Sequence, residues 1–202
     1  MNRIITVNRT FGSGGREFGK RLAEKLGYAY YDHEIITKIA EKTGLAEEYV
    51  NSIVDRKPIN YYPITIGRSF LLHTPSMPDF NAGIFANQKE IILDLAEKSD
   101  CVIIGRCANY ILRDKKPLRF FVYADMDTCM RRCREKAEAG EDLNDRQLRK
   151  RIEEINSERA AYYKYFTEEK WDDIGNYDIC LNTTNASIKK LAEYAAYMIK
   201  NG

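Results

Sequence analysis

The stretch from Arg3 to Gly27 constrains this chain most. It opens with a β-branched run, Ile4-Ile5-Thr6-Val7, whose residue types suit a buried strand. A glycine-rich turn follows, in which Gly12, Gly14 and Gly15 flank Ser13. Phe18, Leu22 and Leu26 then recur at i, i+4 and i+8, with Gly19 and Ala23 beside them, and Gly27 supplies a C-terminal stop. Strand, glycine turn and helix in this order suit an anion. Glycines let the backbone approach closely, the first helical turn has N–H groups without internal partners, and the helix dipole adds partial positive charge. Arg16 can reach the same anion in a bidentate way. The other reading of this stretch is a tight left-handed turn that joins strand to helix and binds nothing.

The spacing matches neither common phosphate motif in full. A dinucleotide fingerprint, Gly-x-Gly-x-x-Gly, fails because Glu17 stands where Gly12 and Gly14 require the third glycine. The pattern Gly-x4-Gly-Lys-[Ser/Thr] fits in part at Gly14, Gly19 and Lys20, but Arg21 replaces the hydroxyl residue. That frame also puts Phe18 in the loop, whereas its spacing from Leu22 and Leu26 puts it on the buried face of a helix. The helix is therefore expected to start near Gly14, with Gly15 and Arg16 in the places of the usual lysine and serine.

The 202 residues suffice for one sizeable domain with a small insert. Lys and Arg number 32 against 30 Asp and Glu, a balance that argues against non-specific nucleic-acid binding as the main role. The 14 tyrosines are expected as half-buried packing or as base-stacking surfaces. Five cysteines, without a Cys-x-x-Cys pair and with only His33 and His73 to join them, argue against zinc and for reduced thiols. The N-terminus lacks a signal-type apolar region and no apolar run approaches the length of a membrane span, so a cytoplasmic protein is expected.

Further along, residues 28–32 read as a second strand ending in Asp32, which either caps the helix that follows or faces a ligand. Helices are expected from Asp32 or His33 to Gly44 and over 45–54. From Asp55 to Gly83 four prolines and interleaved aromatics break every period, so this is read as a functional or interaction loop carrying Arg68 and His73, or as a surface flap packed on its own aromatics. A helix over Ile84–Lys98 precedes an apolar strand, Cys101–Ile104, which ends in Gly105-Arg106. A strand over Leu118–Ala124, helices over Met126–Ala137 and from Gln147 to about Lys164, a strand over Tyr177–Leu181 and a helix capped by Ser187 complete the chain. Five short strands alternating with helices predict an α/β fold, a parallel five-stranded sheet flanked by helices on both faces. Ligands of such sheets sit at the carboxyl ends of the strands, which brings the segment Arg9 to Arg16, Asp32, Arg106 and Asn182 to one crevice. Arg131, Arg132 and Arg151 lie on charged helices, where a solvated face is the alternative to a site.

Several segments together carry a resemblance that spans nearly the whole chain in order. They are Phe11-Gly12-Ser13-Gly14-Gly15-Arg16-Glu17, Leu22-Ala23-Glu24-Lys25-Leu26-Gly27 with Tyr30-Tyr31-Asp32, and Cys101-Val102-Ile103-Ile104-Gly105-Arg106. Asn156-Ser157-Glu158-Arg159-Ala160-Ala161-Tyr162-Tyr163 and Tyr177-Asp178-Ile179-Cys180-Leu181-Asn182-Thr183 complete the set. On these residues the chain resembles the cytidylate-kinase-like proteins of the nucleoside monophosphate kinase superfamily. The resemblance implies a single P-loop kinase-like domain over 1–202, with an acceptor-binding insert at 45–90 and an arginine-bearing helical lid at 140–170. It implies transfer of the γ-phosphoryl of ATP, with magnesium, to a nucleoside monophosphate or related small acceptor. Gly12, Ser13, Gly14, Gly15 and Arg16 would cradle donor phosphates. Asp32, Arg68 and Arg106 would face the acceptor. Arg131 or Arg132, with Arg151 and Arg159, would gather around the transferred group, and Asn182 and Thr183 would lie near the adenine.

The chain departs from that pattern at three places. Gly15 and Arg16 replace the P-loop lysine and serine, Gly105 stands where a Walker B aspartate ends the strand, and Cys107 follows Gly105-Arg106 where cytidylate kinases carry an aspartate. Any magnesium is accordingly expected to be held through water. The rival expectation is a non-catalytic nucleotide-binding or regulatory protein that keeps the fold, and a third is a different anionic donor or acceptor in the same crevice. The expected partner is a small nucleotide, with neither nucleic acid nor membrane, and with a homodimer through residues 55–83 as a further expectation.

Overall fold

A computed structural model describes residues 2–54, 77–137 and 143–202, with backbone alone at 77–80. Five strands form one parallel sheet: β1 (Ile4–Arg9), β2 (Ala29–Tyr31), β3 (Cys101–Ile104), β4 (Leu118–Tyr123) and β5 (Ile179–Asn182). Their order across the sheet is β2-β3-β1-β4-β5. Ile5 faces Val102 on one side and Leu118 on the other, so β1 is central and hydrogen-bonded along both edges.

The helices are α1 (Gly15–Leu26), α2 (Glu34–Thr43), α3 (Glu47–Ile53), α4 (Met77–Lys98), α5 (Ala108–Ile111), α6 (Met126–Glu135), α7 (Asp145–Thr167) and α8 (Ile188–Asn201). They cover the sheet on both faces, and the strands alternate accordingly. Ile5, Val7, Val102, Ile104, Phe120 and Val122 point to the face covered by α1 and α8, where Phe18, Leu22 and three alanines of α8 meet them. Ile4, Cys101, Ile103 and Phe121 point to the opposite face, packed by α2, α4, α5 and α7. Phe121 there sits 5.4 Å from the Trp171 ring and 4.9 Å from that of Tyr177. Tyr162, Tyr163 and Tyr177 are buried, which accounts for part of the tyrosine content as packing.

α1 begins at Gly15 with Gly14 as its N-cap, the frame that the Phe18, Leu22 and Leu26 spacing requires. Of the boundaries that differ from the sequence expectation, two have a clear physical cause. β1 runs on to Arg9 because the ladder to β4 continues to Val122. α4 starts at Met77, so 77–83 is helical rather than irregular. Pro78 falls in the first turn, where a missing N–H costs nothing. The short helix α5 had no periodic signal to announce it. Arg68, His73 and the expected homodimer segment up to residue 76 lie outside the described residues, as do residues 140–142 of the expected lid.

Candidate functional site

The loop between β1 and α1 is held from every side. The Thr10 amide donates to the Val122 carbonyl at 3.0 Å, extending the β1–β4 ladder by one bond. Asn156 of α7 accepts from the Phe11 amide at 2.8 Å, and the buried Ser13 hydroxyl donates to the Thr10 carbonyl at 2.8 Å. Gly12 (φ 77°) and Gly14 (φ 83°) take left-handed conformations that side chains resist. A Cβ on Gly12 would lie 2.7 Å from the Cys129 carbonyl oxygen, so the loop is pressed against the backbone of α6.

Arg132 and Thr183 brace this loop. Nη1 of Arg132 donates to the Ser13 carbonyl and to the Thr183 hydroxyl, both at 2.8 Å, and Nη2 donates to the Thr183 carbonyl at 2.8 Å. The Thr183 hydroxyl, fully buried, donates in turn to the Ser13 carbonyl at 2.7 Å. These contacts tie the loop to α6 and to the end of β5.

A cavity of about 340 Å³ opens in front of the loop. Gly12, Gly14 and Gly15 form its floor, and Arg16, Arg132, Arg151 and Arg159 contribute cationic walls. The free N–H groups of the first turn of α1 open onto the same floor by helix geometry. Arg159 donates to the Arg9 carbonyl at 3.2 Å, and its guanidinium carbon lies 5.7 Å from the centre of the Phe11 ring. Arg9, which the sequence brought to the crevice as the start of the segment Arg9 to Arg16 but without a role of its own, lines the same cavity although it is 5% exposed. So does Lys136. The sequence signal for Arg9 is a charged residue closing a strand whose other residues are uncharged.

Arg16 stands at the rim and points sideways. Its Nε pairs with Oδ2 of Asp32 at 2.5 Å, the arginine side chain two-thirds exposed and the carboxylate buried. The Asp32 carboxylate is thus not the cap of α2; His33 is the capping position and makes no side-chain cap bond. Tyr30 places its hydroxyl 3.5 Å from the same carboxylate. Burial, and then the Asp32 charge, push the Tyr30 phenol well above its ordinary range, with Arg16 and Arg9 opposing. A second depression lies on the far side of this ion pair, between Arg16, Tyr30, Asp32, His33 and Lys136. Glu17 at its edge is pushed up by burial, but hydrogen bonds and charge from Arg21 and Lys136 leave it below its usual value.

The turn after β3 carries Arg106. Gly105, Arg106 and Cys107 have φ of 66°, 60° and 54°, three left-handed residues in succession, two of them not glycine. The turn is fixed by the Gly105 amide donating to the Val7 carbonyl at 3.0 Å and by buried Gln88 donating to the Arg106 carbonyl at 2.9 Å. Tyr162 donates to Gln88 at 3.2 Å. Arg106 is 6% exposed and its Nη1 lies 3.4 Å from the Val54 carbonyl, facing the small cleft it shares with Arg9 and Arg159.

The other expected residues fall elsewhere. Arg131 projects away from the cavity and pairs with Glu135 at 2.9 Å, an exposed i,i+4 pair. Asn182 is exposed and accepts from the Thr184 amide at 3.0 Å, shaping the loop after β5. Among the described residues no cluster of three His, Cys, Asp or Glu side chains could hold a metal, and the Ser13 hydroxyl is engaged by Thr10. No described helix is long and apolar enough to cross a membrane.

Residues 4–185 match the cytidylate kinase-like family. No curated protein matches the chain. Among solved structures, an uncharacterized protein from Eubacterium ventriosum ATCC 27560 aligns with a TM-score of 0.72 at 24% identity, over 100% of both chains. A shikimate kinase from Bacteroides thetaiotaomicron aligns at 0.58 and 16% identity over 98% of each chain. A shikimate kinase from Acinetobacter baumannii, solved with shikimate, aligns at 0.55 and 14% identity over 99% of this chain and 94% of its own. At these identities the likeness is one of fold, that of a P-loop kinase.

Proposed function

The chain belongs to the cytidylate kinase-like family, and from that premise we propose that it transfers the terminal phosphoryl group of ATP to a nucleoside monophosphate or a related small acceptor. The observation that carries this reading is the arginine-walled cavity in front of the glycine loop. Phosphoryl transfer needs positioning and neutralisation of charge on the equatorial oxygens more than a strong base. A pure binder has no need for a transition-state clamp.

On this reading the backbone of Gly12 to Gly15 cradles the donor phosphates. Arg16, two-thirds exposed, exchanges Asp32 for a phosphate oxygen as the acceptor engages the buried carboxylate. Arg151 and Arg159 close on the transferring group. Arg132 and Thr183 act as positioning residues, since their donors already hold the loop. Asp32, Arg106 and, beyond the described residues, Arg68 serve the acceptor. Residues 45–90 form the acceptor insert. Within the lid at 140–170, Leu143, Leu148, Arg151 and Arg159 line the cavity, and Tyr162 and Tyr163 anchor the later part of α7 in the core. Magnesium enters as a complex of ATP, held by the phosphates and water rather than by side chains of the chain. The setting is cytoplasmic, where ATP is abundant.

The test is ADP formation from ATP and magnesium with a panel of nucleoside monophosphates and shikimate, with ATP binding followed by calorimetry. Turnover on one acceptor is the expected result. Tight ATP binding without turnover on any of them sinks the transfer reading and leaves the rival, a nucleotide-binding regulator. The observation favouring that rival is Arg16 itself, held on Asp32 where a kinase carries a magnesium-binding hydroxyl.

A further inference from the structure

Arg9 and Gly15 look like two unrelated oddities in the sequence, but in three dimensions they are one exchange. When Gly14, Gly15 and Arg16 are set on the Gly-Lys-[Ser/Thr] end of the P-loop pattern, the first glycine of that pattern falls five residues before Gly14, on Arg9. The motif thus has a cation where it needs a glycine and a glycine where it needs a cation. The structure brings the two positions into contact. A Cβ on Gly15 would lie 2.4 Å from Cβ of Arg9 and 3.1 Å from its Cγ. A Cβ on Gly105 would lie 2.0 Å from Nη1 of Arg9 and 3.0 Å from its Cζ. The stem of Arg9 therefore lies across the backbone of Gly15, and its guanidinium lies across Gly105, at the carboxyl end of the neighbouring strand. Both glycines are needed for Arg9 to take this path.

We propose that Arg9 supplies the charge that the missing P-loop lysine would supply, delivered from the first position of the loop instead of the seventh, and that it contacts the terminal phosphate of a bound triphosphate. Its side chain starts on the floor of the cavity in front of the loop and ends in the cleft shared with Arg106 and Arg159. That path runs from the donor side to the acceptor side of the site, where the transferring group must pass. Arg16 is a weaker candidate for this role, because it sits at the rim and points toward Asp32. Burial favours Arg9 further. A cation shielded from bulk water acts on a phosphate through a lower effective dielectric, and a guanidinium fits two phosphate oxygens at once. The inference rests on the cavity being a triphosphate site.

The experiment transplants the charge. Arg9→Gln keeps most of the stem on Gly15 and removes the cation. Gly15→Lys restores the ordinary lysine but drives its Cβ into Arg9. Arg9→Gly with Gly15→Lys rebuilds the standard arrangement. Affinities for ATP and for inorganic tripolyphosphate are measured by calorimetry, with thermal unfolding of each variant as the control for folding. Arg9→Gln should weaken both ligands by about tenfold or more, the loss expected of one charge-assisted contact. Gly15→Lys alone should fall in unfolding temperature. The double variant should regain the lost affinity to within a few-fold. Unchanged affinity in Arg9→Gln, or a double variant no better than Arg9→Gly, overturns the proposal, as does a wild-type protein that binds neither ligand. A wild type that binds both through Arg9 and phosphorylates no acceptor keeps the proposal and sinks the kinase reading. A wild type that turns over, with Arg9→Gln as active as itself, does the reverse.

Discussion

Two turns leave the middle of the sheet side by side, and they are built in opposite ways. The loop after β1 turns on Gly12 and Gly14, both left-handed. The turn after β3 is left-handed for three residues, and two of them are Arg106 and Cys107. A left-handed arginine costs on the order of 1 kcal/mol, and it persists only where its surroundings fix it. Here Gln88 and Tyr162 fix it from below. The first turn removes side chains so that a ligand can approach backbone N–H groups. The second tolerates strain so that a guanidinium is aimed inward. The first should therefore fail through the backbone, and the second through the loss of a side chain.

The largest expected effect follows at Gly12. Gly12→Ala puts a Cβ 2.7 Å from the Cys129 carbonyl oxygen at a φ of 77°, against backbone that cannot swing aside. Strain and overlap together should lower the unfolding free energy by about 3 kcal/mol and disable ATP binding with it. Urea unfolding and calorimetry measure the two losses, and an alanine variant as stable as wild type would make the two turns equivalent after all.

Arg106→Gly should separate the two effects at the second turn. Relief of the left-handed strain opposes the loss of the guanidinium's contacts, the one to the Val54 carbonyl among them, so the fall in stability should be smaller than at Gly12. ATP affinity should hold, while turnover at fixed acceptor falls by about 100-fold through the loss of a buried phosphate ligand. A variant that loses ATP binding and acceptor use in equal measure would place Arg106 with the donor instead.

The two turns also differ in how far the sequence revealed them. Glycines at the first turn announce themselves, and the four-residue spacing of Phe18, Leu22 and Leu26 fixes where α1 begins. The sheet was legible for the same reason: runs such as Cys101–Ile104 are apolar on both faces because helices cover both. Arg106 and Cys107 carry no local mark of a left-handed turn, because the residues that hold it, Gln88 and Tyr162, are distant in sequence. The brace of the loop was hidden likewise, since Arg132 and Thr183 meet Ser13 across spans of 119 and 170 residues. Arg132 and its neighbour Arg131 look equivalent on a charged helix. Only the fold sends one to the loop and the other to Glu135. Arg9 was brought to the crevice with the segment it opens, but its role was missed because that role depends on the space that Gly15 and Gly105 leave open.

The brace gives a test of intermediate size. Thr183→Val keeps the volume and removes the hydroxyl that links Arg132 to the Ser13 carbonyl, leaving buried polar groups short of a partner. The cost should be about 1–2 kcal/mol of stability. The loop would be held less firmly, so KM for ATP should rise several-fold with little change in kcat. A pure fall in kcat would mean that Thr183 touches the reaction itself rather than positioning the loop.

The smallest effect is expected far from both turns, where the sheet is tied at its other end. Asp178, just before β5, accepts from the Arg119 amide at 2.8 Å and from its Nε and Nη2 at 3.1 and 2.7 Å. Those hydrogen bonds from Arg119 hold the Asp178 carboxyl below its ordinary value, with partial burial opposing. A carboxylate shifted down in the folded state stabilises fully above its unfolded value, near 3.9, and the contribution fades as pH drops through the lower folded value. The side chains are 33% and 38% exposed, so solvent screening keeps the gain under about 1 kcal/mol. Asp178→Asn should therefore lose a little stability near neutrality, and the gap to wild type should close on acidification. ATP affinity should not move. If it did, the far end of the sheet would be coupled to the phosphate loop, and the contrast between the two turns would no longer be a local matter of what each one does with its side chains.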